Sequence, residues 1–259
     1  MKFETMTLTC ENQIATIIID SPPVNSITPQ VIDDLEAVFD ALTDMEDVRA
    51  VVLGSALEKI FVAGADINQF ISWRKEDGIA VTRRGHDVFL KIENFNKPVI
   101  CAINGIAFGG GLEMALACDI RVIGKKAKIG LPEVGLGIVP GYGGTQRLPW
   151  LVGPGMAKKL ILSGKAISAE EAYRVGIAEV LAEPEETMAE AQKLAKDICV
   201  NAPKAVSAAK KCVAAAMTLQ ADEGITYEIE SVGELCTTED KTEGAMAFVE
   251  KRSAVFKNR

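Results

Sequence analysis

Glu113 and Glu133 stand twenty residues apart, each within glycine-rich and otherwise apolar sequence. Glu113 lies in Ile103-Asn-Gly-Ile-Ala-Phe-Gly-Gly-Gly-Leu-Glu-Met-Ala-Leu-Ala-Cys-Asp119, and Glu133 in Gly130-Leu-Pro-Glu-Val-Gly-Leu-Gly-Ile-Val-Pro-Gly141. A carboxylate beside exposed backbone N–H groups can move a proton while those donors hold a developing negative charge. That pairing is the working equipment of enolate chemistry. Leu112, Met114, Ala115, Leu116 and Ala117 flank the first acid, and Leu131, Val134, Leu136 and Ile138 surround the second. Burial in such company raises a carboxyl pKa toward the range where the group works as acid or base.

Plainer roles compete with each of these features. Gly109-Gly110-Gly111 could serve only as a tight strand-to-helix turn. Glu113, in the first turn of the helix Leu112–Ala117, could serve only to complement the helix dipole. Phe61-Val-Ala-Gly-Ala-Asp-Ile-Asn68 could be a turn with an Asx-type aspartate. Against the first reading, a helix N-terminus offers free N–H groups to an anion. The glycine run does not fit G-x-G-x-x-G, and no G-K-[ST] follows, which argues against dinucleotide and Walker-type loops. His86, the only histidine, is expected on an exposed helix. No G-x-S-x-G context accompanies it, so a serine triad is a poor reading.

The surrounding pattern predicts the elements that must hold these residues. Thr7–Cys10 and Gln13–Asp20 read as a strand pair, and Ala50–Gly54, Pro98–Ile103, Asp119–Ile123 and Ile177–Leu181 as further strands. Thr28-Pro29 caps and opens a helix with Val31, Leu35, Val38, Phe39 and Leu42 on one face. Helices are also predicted over 78–95, 154–163 and 168–175, the last with Ser168-x-x-Glu171 as a capping box. Beyond Pro184 the spacing is helical throughout: 186–200, 203–219, 223–236 and 239–251. The expected division is a strand-and-helix core over residues 1–185, carrying the chemistry, and a helical region over 186–259 for packing or subunit contact.

At 259 residues the chain can bury a substantial core. Its net charge of -8 opposes nucleic acid as the main partner, since phosphate binding needs a basic surface. The six cysteines show no C-x-x-C and no histidine spacing for a metal. There is no signal-peptide pattern and no run long enough for a membrane span, so a cytoplasmic location is expected.

Taken together, these stretches resemble the crotonase family, closest to its enoyl-CoA hydratases. The resemblance runs nearly end to end: Pro22-Pro-Val-Asn-Ser26, Ala63-Gly-Ala-Asp66, the blocks 104–119 and 132–147, Gly143-Gly-Thr-Gln-Arg-Leu148, and Ala247-Phe-Val-Glu-Lys-Arg252. It implies an α/β fold, a spiral of β-β-α repeats with a helical C-terminal region, assembled as a homotrimer or homohexamer. It implies an oxyanion hole from the amides of Ala65 and Gly110, with Glu113 and Glu133 as the two catalytic acids. Coenzyme A, as part of an acyl-CoA substrate and with no further cofactor or metal, would lie along Ala63, Gly64, Ala65, Asp66 and Ile67. Lys251 would reach a CoA phosphate from a neighbouring subunit. The implied reaction is hydration of a trans-2-enoyl-CoA to a 3-hydroxyacyl-CoA, with a cyclic or conjugated dienoyl-CoA, or isomerisation, as alternatives. Two departures stand out: Pro22-Pro-Val-Asn25 lacks the lysine many hydratases carry there, and Leu131 replaces a frequent glutamine.

Overall fold

Four segments of this chain are mainly apolar, interrupted by Thr16, Ser55 and Arg121, and the structure buries each along most of its length: Ile14–Ile19, Ala50–Ser55, Val99–Ile103 and Ile120–Gly124. Continuous burial is what parallel strands covered on both faces require. The structure, a computed structural model, describes residues 1–259, the side chain of Gln69 excepted.

In chain order the first elements are β1 (Met6–Glu11), β2 (Ile14–Ile19), α1 (Pro29–Thr43), β3 (Ala50–Ser55), β4 (Ile60–Val62) and α2 (Lys75–Glu93). Then come β5 (Val99–Ile103), β6 (Ile106–Phe108), α3 (Gly110–Ala117), β7 (Ile120–Gly124), β8 (Lys128–Gly130) and α4 (Gly144–Ser163). β9 (Ile167–Ser168), α5 (Ala169–Arg174) and β10 (Val180–Ala182) precede four helices: α6 (Thr187–Cys199), α7 (Pro203–Thr218), α8 (Ala221–Leu235) and α9 (Glu239–Glu250).

Two sheets share these strands. One has the order β1-β2-β3-β5-β7-β10, parallel except for the β1–β2 pair, and the other β4-β6-β8-β9, parallel except for β8–β9. Each pair β3–β4, β5–β6 and β7–β8 therefore sends its first strand to the large sheet and its second to the small one, and a helix follows. Every such turn adds one strand to each sheet beside the last, which is the spiral of β-β-α units. The strands of the small sheet are two or three residues long, too short for a periodic signal, and the sequence reading missed all four.

Thr28 caps α1 as expected, its side chain accepting from the Val31 N–H. Elsewhere the boundaries move. α2 begins at Lys75, not 78, because the Asp77 carboxylate accepts from the Arg74 N–H. α4 begins at Gly144, ten residues ahead of the predicted start, and is kinked at Gly153 (φ 74°). The last strand covers 180–182; Ile177 and Ala178 close the turn after α5, bonded to the Ala172 carbonyl. At Ser168 half of the expected capping box forms: its hydroxyl accepts from the Glu171 N–H, while the Glu171 carboxylate pairs with Arg174. α6 lies on the large sheet, where Ala191, Ala195 and Cys199 bury against Ile14, Val52, Ile100 and Val122.

The seat of α3 matters most for the site. Its residues 110–117 are all buried, and a Cβ added to Gly111 would lie 2.1 Å from the Val62 carbonyl oxygen. Backbone meets backbone there, so α3 is fixed to the end of β4. The opposite end is tied by Arg121, whose buried guanidinium donates to the carbonyls of Cys118 (2.8 Å) and Ile177 (2.7 Å) and to Glu179 (2.5 Å). Such cations satisfy carbonyls that a helix C-terminus leaves open.

Candidate active site

The site is built where two strand-to-helix crossings of successive turns meet. Ala63–Ala65 follow β4, and Gly109 follows β6. Gly64 (φ +110°) and Gly109 (φ +52°) both hold conformations that side-chain-bearing residues rarely adopt. A Cβ at Gly64 would meet the Phe108 carbonyl at 3.1 Å, and one at Gly109 would stand 2.9 Å from Glu133 Oε1. The glycines thus let the two crossings lie against each other with their backbones bare. Among the described residues, neither the Ala65 N–H nor the Gly110 N–H has a hydrogen-bond acceptor. Both residues line one cavity of about 590 Å³.

Glu113 and Glu133 line the same cavity. Glu113 is 1 % exposed; its Oε1 accepts from the N–H groups of Tyr142 (2.8 Å) and Gly144 (2.7 Å). Burial is the largest influence on it and pushes its pKa up to about 7, with the charge of Glu133 adding to the rise. The two N–H bonds and the more distant Arg147 pull the other way. Glu133 opens a 3-10 turn over Glu133–Leu136 and is 8 % exposed. Its Oε2 is buried with no partner, and burial raises its pKa too. One acid is thus gripped by two donors from another segment, and the other leaves its Oε2 without a partner.

The segment 141–147 is held by Arg147. Its buried guanidinium donates to the Tyr142 carbonyl (2.8 Å) and to Glu93 Oε2 (2.7 Å) on α2. The Tyr142 ring stacks edge-on against Phe89, with centroids 5.4 Å apart, and lies over Gly85, where a Cβ would meet it at 2.3 Å. The tyrosine hydroxyl is pushed up to about 12 by burial and then by the charge of Glu113.

Of the residues singled out in the sequence, Ala63, Gly64, Ala65, Ile67, Gly110, Glu113 and Glu133 come together around this cavity. Asp66 does not line it; its carboxylate caps the 3-10 turn Ile67–Ser72 by accepting from the Asn68 N–H. Lys251 is exposed in the left-handed C-cap of α9 and does not line the cavity either. His86 departs from expectation: it is half-buried and lines the cavity, its pKa lowered by burial and by Arg147. Among the described residues no cluster of three His, Cys, Asp or Glu could hold a metal.

The sequence reading gave no role to Tyr142, Gly144 and Arg147, which orient Glu113. Only the run Gly141-Tyr-Gly-Gly-Thr-Gln-Arg147 hinted at them. Also missed were Trp73 and Phe70, stacked edge-on at 4.4 Å on the cavity wall.

The sequence model of the enoyl-CoA hydratase/isomerase family matches residues 9–259. The chain belongs to that family. Among its members, a short-chain-enoyl-CoA hydratase of Clostridium acetobutylicum is 41 % identical over 261 residues, covering 100 % of both chains. A crotonyl-CoA hydratase of Syntrophomonas wolfei is 38 % identical over 257 residues, covering 99 % of each. The solved structure of an enoyl-CoA hydratase from Geobacillus kaustophilus superposes with a TM-score of 0.97 at 33 % identity, covering 100 % of this chain and 98 % of the other. The spiral of β-β-α turns is thus the family fold, with α7–α9 as its helical C-terminal region.

Proposed function

We propose that this member of the family is an enoyl-CoA hydratase, a hydro-lyase that adds water reversibly across the 2,3 double bond of a trans-2-enoyl-CoA. The names of its relatives favour this activity. The observation that carries the mechanism is the sharing of one cavity by two buried acids and two unpaired amides.

The thioester oxygen sits between the Ala65 and Gly110 N–H groups. As charge builds on that oxygen, these donors stabilise the enolate, at roughly 2.7–4 kcal/mol per donor in comparable sites. Burial raises both carboxyls above the ordinary glutamate range. Glu113, whose two N–H bonds on Oε1 stabilise its carboxylate, acts in its ionised form, which grows as pH rises through about 7; Glu133, with Oε2 lacking a partner, acts in its protonated form. Glu113 therefore takes a proton from water as the oxygen attacks C3. The double-bond electrons move onto the C2–C1–O enolate, and Glu133 gives its proton to C2. One proton enters the pair and one leaves it, so the reaction needs no cofactor beyond the CoA of its own substrate.

The CoA moiety follows Ala63, Gly64, Ala65 and Ile67 along the cavity wall, with the Asp66 backbone beside it. The family assembly completes the site: Lys251 of one chain reaches the phosphates held by another. A row of exposed apolar residues on α8 (Ile225, Ile229, Val232) and another on α9 (Met246, Phe248, Val249) supports such an assembly, a homotrimer or homohexamer. Within 186–259, α6 covers the large sheet and α7–α9 serve assembly, while 1–185 carry the chemistry. No described helix is long and apolar enough to cross a membrane, and we propose a cytoplasmic location.

Two measurements test this reading. Purified protein is expected to consume crotonyl-CoA, seen as loss of the enoyl-thioester ultraviolet absorbance with 3-hydroxybutyryl-CoA as product. No turnover of any 2-enoyl-CoA would end it. Light scattering should give three or six times the 27.7 kDa chain mass; a stable monomer refutes the assembly and leaves Lys251 without its ligand.

A further inference from the structure

The cavity has a charged end that hydration of a plain fatty acyl group does not use. One face of α2 lines it with Lys75, Gly78, Ile79, Thr82, Arg83 and His86, a spacing that places all six on one helical stripe. The segment bearing the amides that hold Glu113 packs on that stripe. A Cβ at Gly141 would touch Thr82 Cγ2 at 3.4 Å, and one at Gly143 the His86 ring at 3.4 Å. On the hydratase reading, Glu113 directs water to C3, so acyl carbons beyond C3 run on past it along α2. The inference rests on that reading. The other walls, Leu136, Ile138 and Val139, are apolar.

Arg83 and Arg84 are adjacent in sequence and opposite in circumstance. Arg84 is neutralised outside the cavity by Asp33 (2.8 Å) and Glu36 (2.6 Å). Arg83 lines the cavity, and among the described residues no carboxylate lies within 4 Å of it. Its charge is felt by His86, one turn along the stripe. Arg83 is itself exposed, so this end of the cavity meets solvent; a guanidinium there beside apolar walls, without a counter-ion, matches a carboxylate in shape and charge and binds it through two parallel N–H bonds.

We infer that the acyl group taken by this cavity ends in a carboxylate that pairs with Arg83, beside Thr82 and His86: the substrate class is the CoA monothioester of an unsaturated dicarboxylic acid. An anion on the CoA phosphates is the other chemistry that could use Arg83, and the experiment separates the two.

The test compares trans-2-hexenoyl-CoA with its ω-carboxylate counterpart, trans-2-hexenedioyl-CoA, in the wild type and in Arg83→Gln. The unreactive hexanoyl-CoA and adipyl-CoA are compared by titration calorimetry. The wild type is expected to favour the carboxylate partner of each pair by about tenfold or more, in kcat/KM and in affinity, and less so at high salt. Arg83→Gln should bring both ratios close to one. A wild-type ratio at or below one overturns the inference. So does an equal loss on both members of each pair, which would assign Arg83 to the CoA phosphates. Because adipyl-CoA and hexanoyl-CoA undergo no hydration, the affinity ratio reads Arg83 even if no enoyl-CoA is turned over. That second result would strike the hydratase reading alone.

Discussion

Glu113→Gln is expected to slow crotonyl-CoA hydration by about two to four orders of magnitude, the contribution typical of a positioned general acid or base. Glu133→Gln should do the same. The two variants nevertheless differ in a way that identifies their roles. A glutamine at 113 can still accept from Tyr142 and Gly144 through its amide oxygen, so the segment 141–147 keeps its place. It loses only the ability to take a proton from water. A glutamine at 133 replaces an acid whose Oε2 has no partner, so no hydrogen bond is lost at that atom. Near-native turnover in both variants would refute the two-acid mechanism.

The same substitution at 113 carries a stability signature with a definite sign. The pKa of Glu113 lies near 7 in the folded chain against 4.5 for an ordinary glutamate. Folding therefore favours its protonated form. That contribution is present in full below about pH 4.5 and is lost as pH rises through about 7. The loss amounts to about 3 kcal/mol for a group this deeply buried. Glutamine does not ionise. Relative to the wild type, Glu113→Gln should thus gain stability between pH 5 and pH 8, seen as a smaller fall in Tm over that interval. Parallel pH profiles for the two proteins would contradict the raised pKa. An inactive but alkali-stabilised variant is what a functional residue held at an energetic cost should give.

Gly109→Ala is expected to have the second largest effect. Its backbone stands at φ 52°, ψ −126°, a conformation that costs a side-chain-bearing residue about 1–3 kcal/mol. The added methyl would also stand 2.9 Å from Glu133 Oε1. Relief requires the crossing to rotate or Glu133 to move, and either one disturbs the neighbouring Gly110 N–H. Loss of one oxyanion donor lowers kcat by about 10²–10³. The deficit should fall on kcat more than on KM, because the donor acts on charge that exists only in the transition state. A variant with unaltered kcat would show that the Gly110 amide has no part in the reaction.

Much of this molecule is legible without coordinates, and the reason is local. Long elements repeat their burial pattern along the chain, so α1, with Thr28 as cap, and the continuous strands β2, β3, β5 and β7 announce themselves. Two acids in apolar, glycine-rich context stand out for the same reason, and the motifs around them identify the family. The four strands of the small sheet leave no such trace. Their two or three residues are ordered by partners elsewhere in the chain, not by their own periodicity.

The residue types that meet the chemistry, and the order of elements that carries them, are written along the chain. The way Glu113 is held emerges only from the folded arrangement, since its two donors lie 29 and 31 residues further along the chain. Only there do His86 and Arg83 turn from one helix face among several into a cavity wall. Contacts at such separation depend on how successive turns of the spiral stack, and no window along the chain contains both partners.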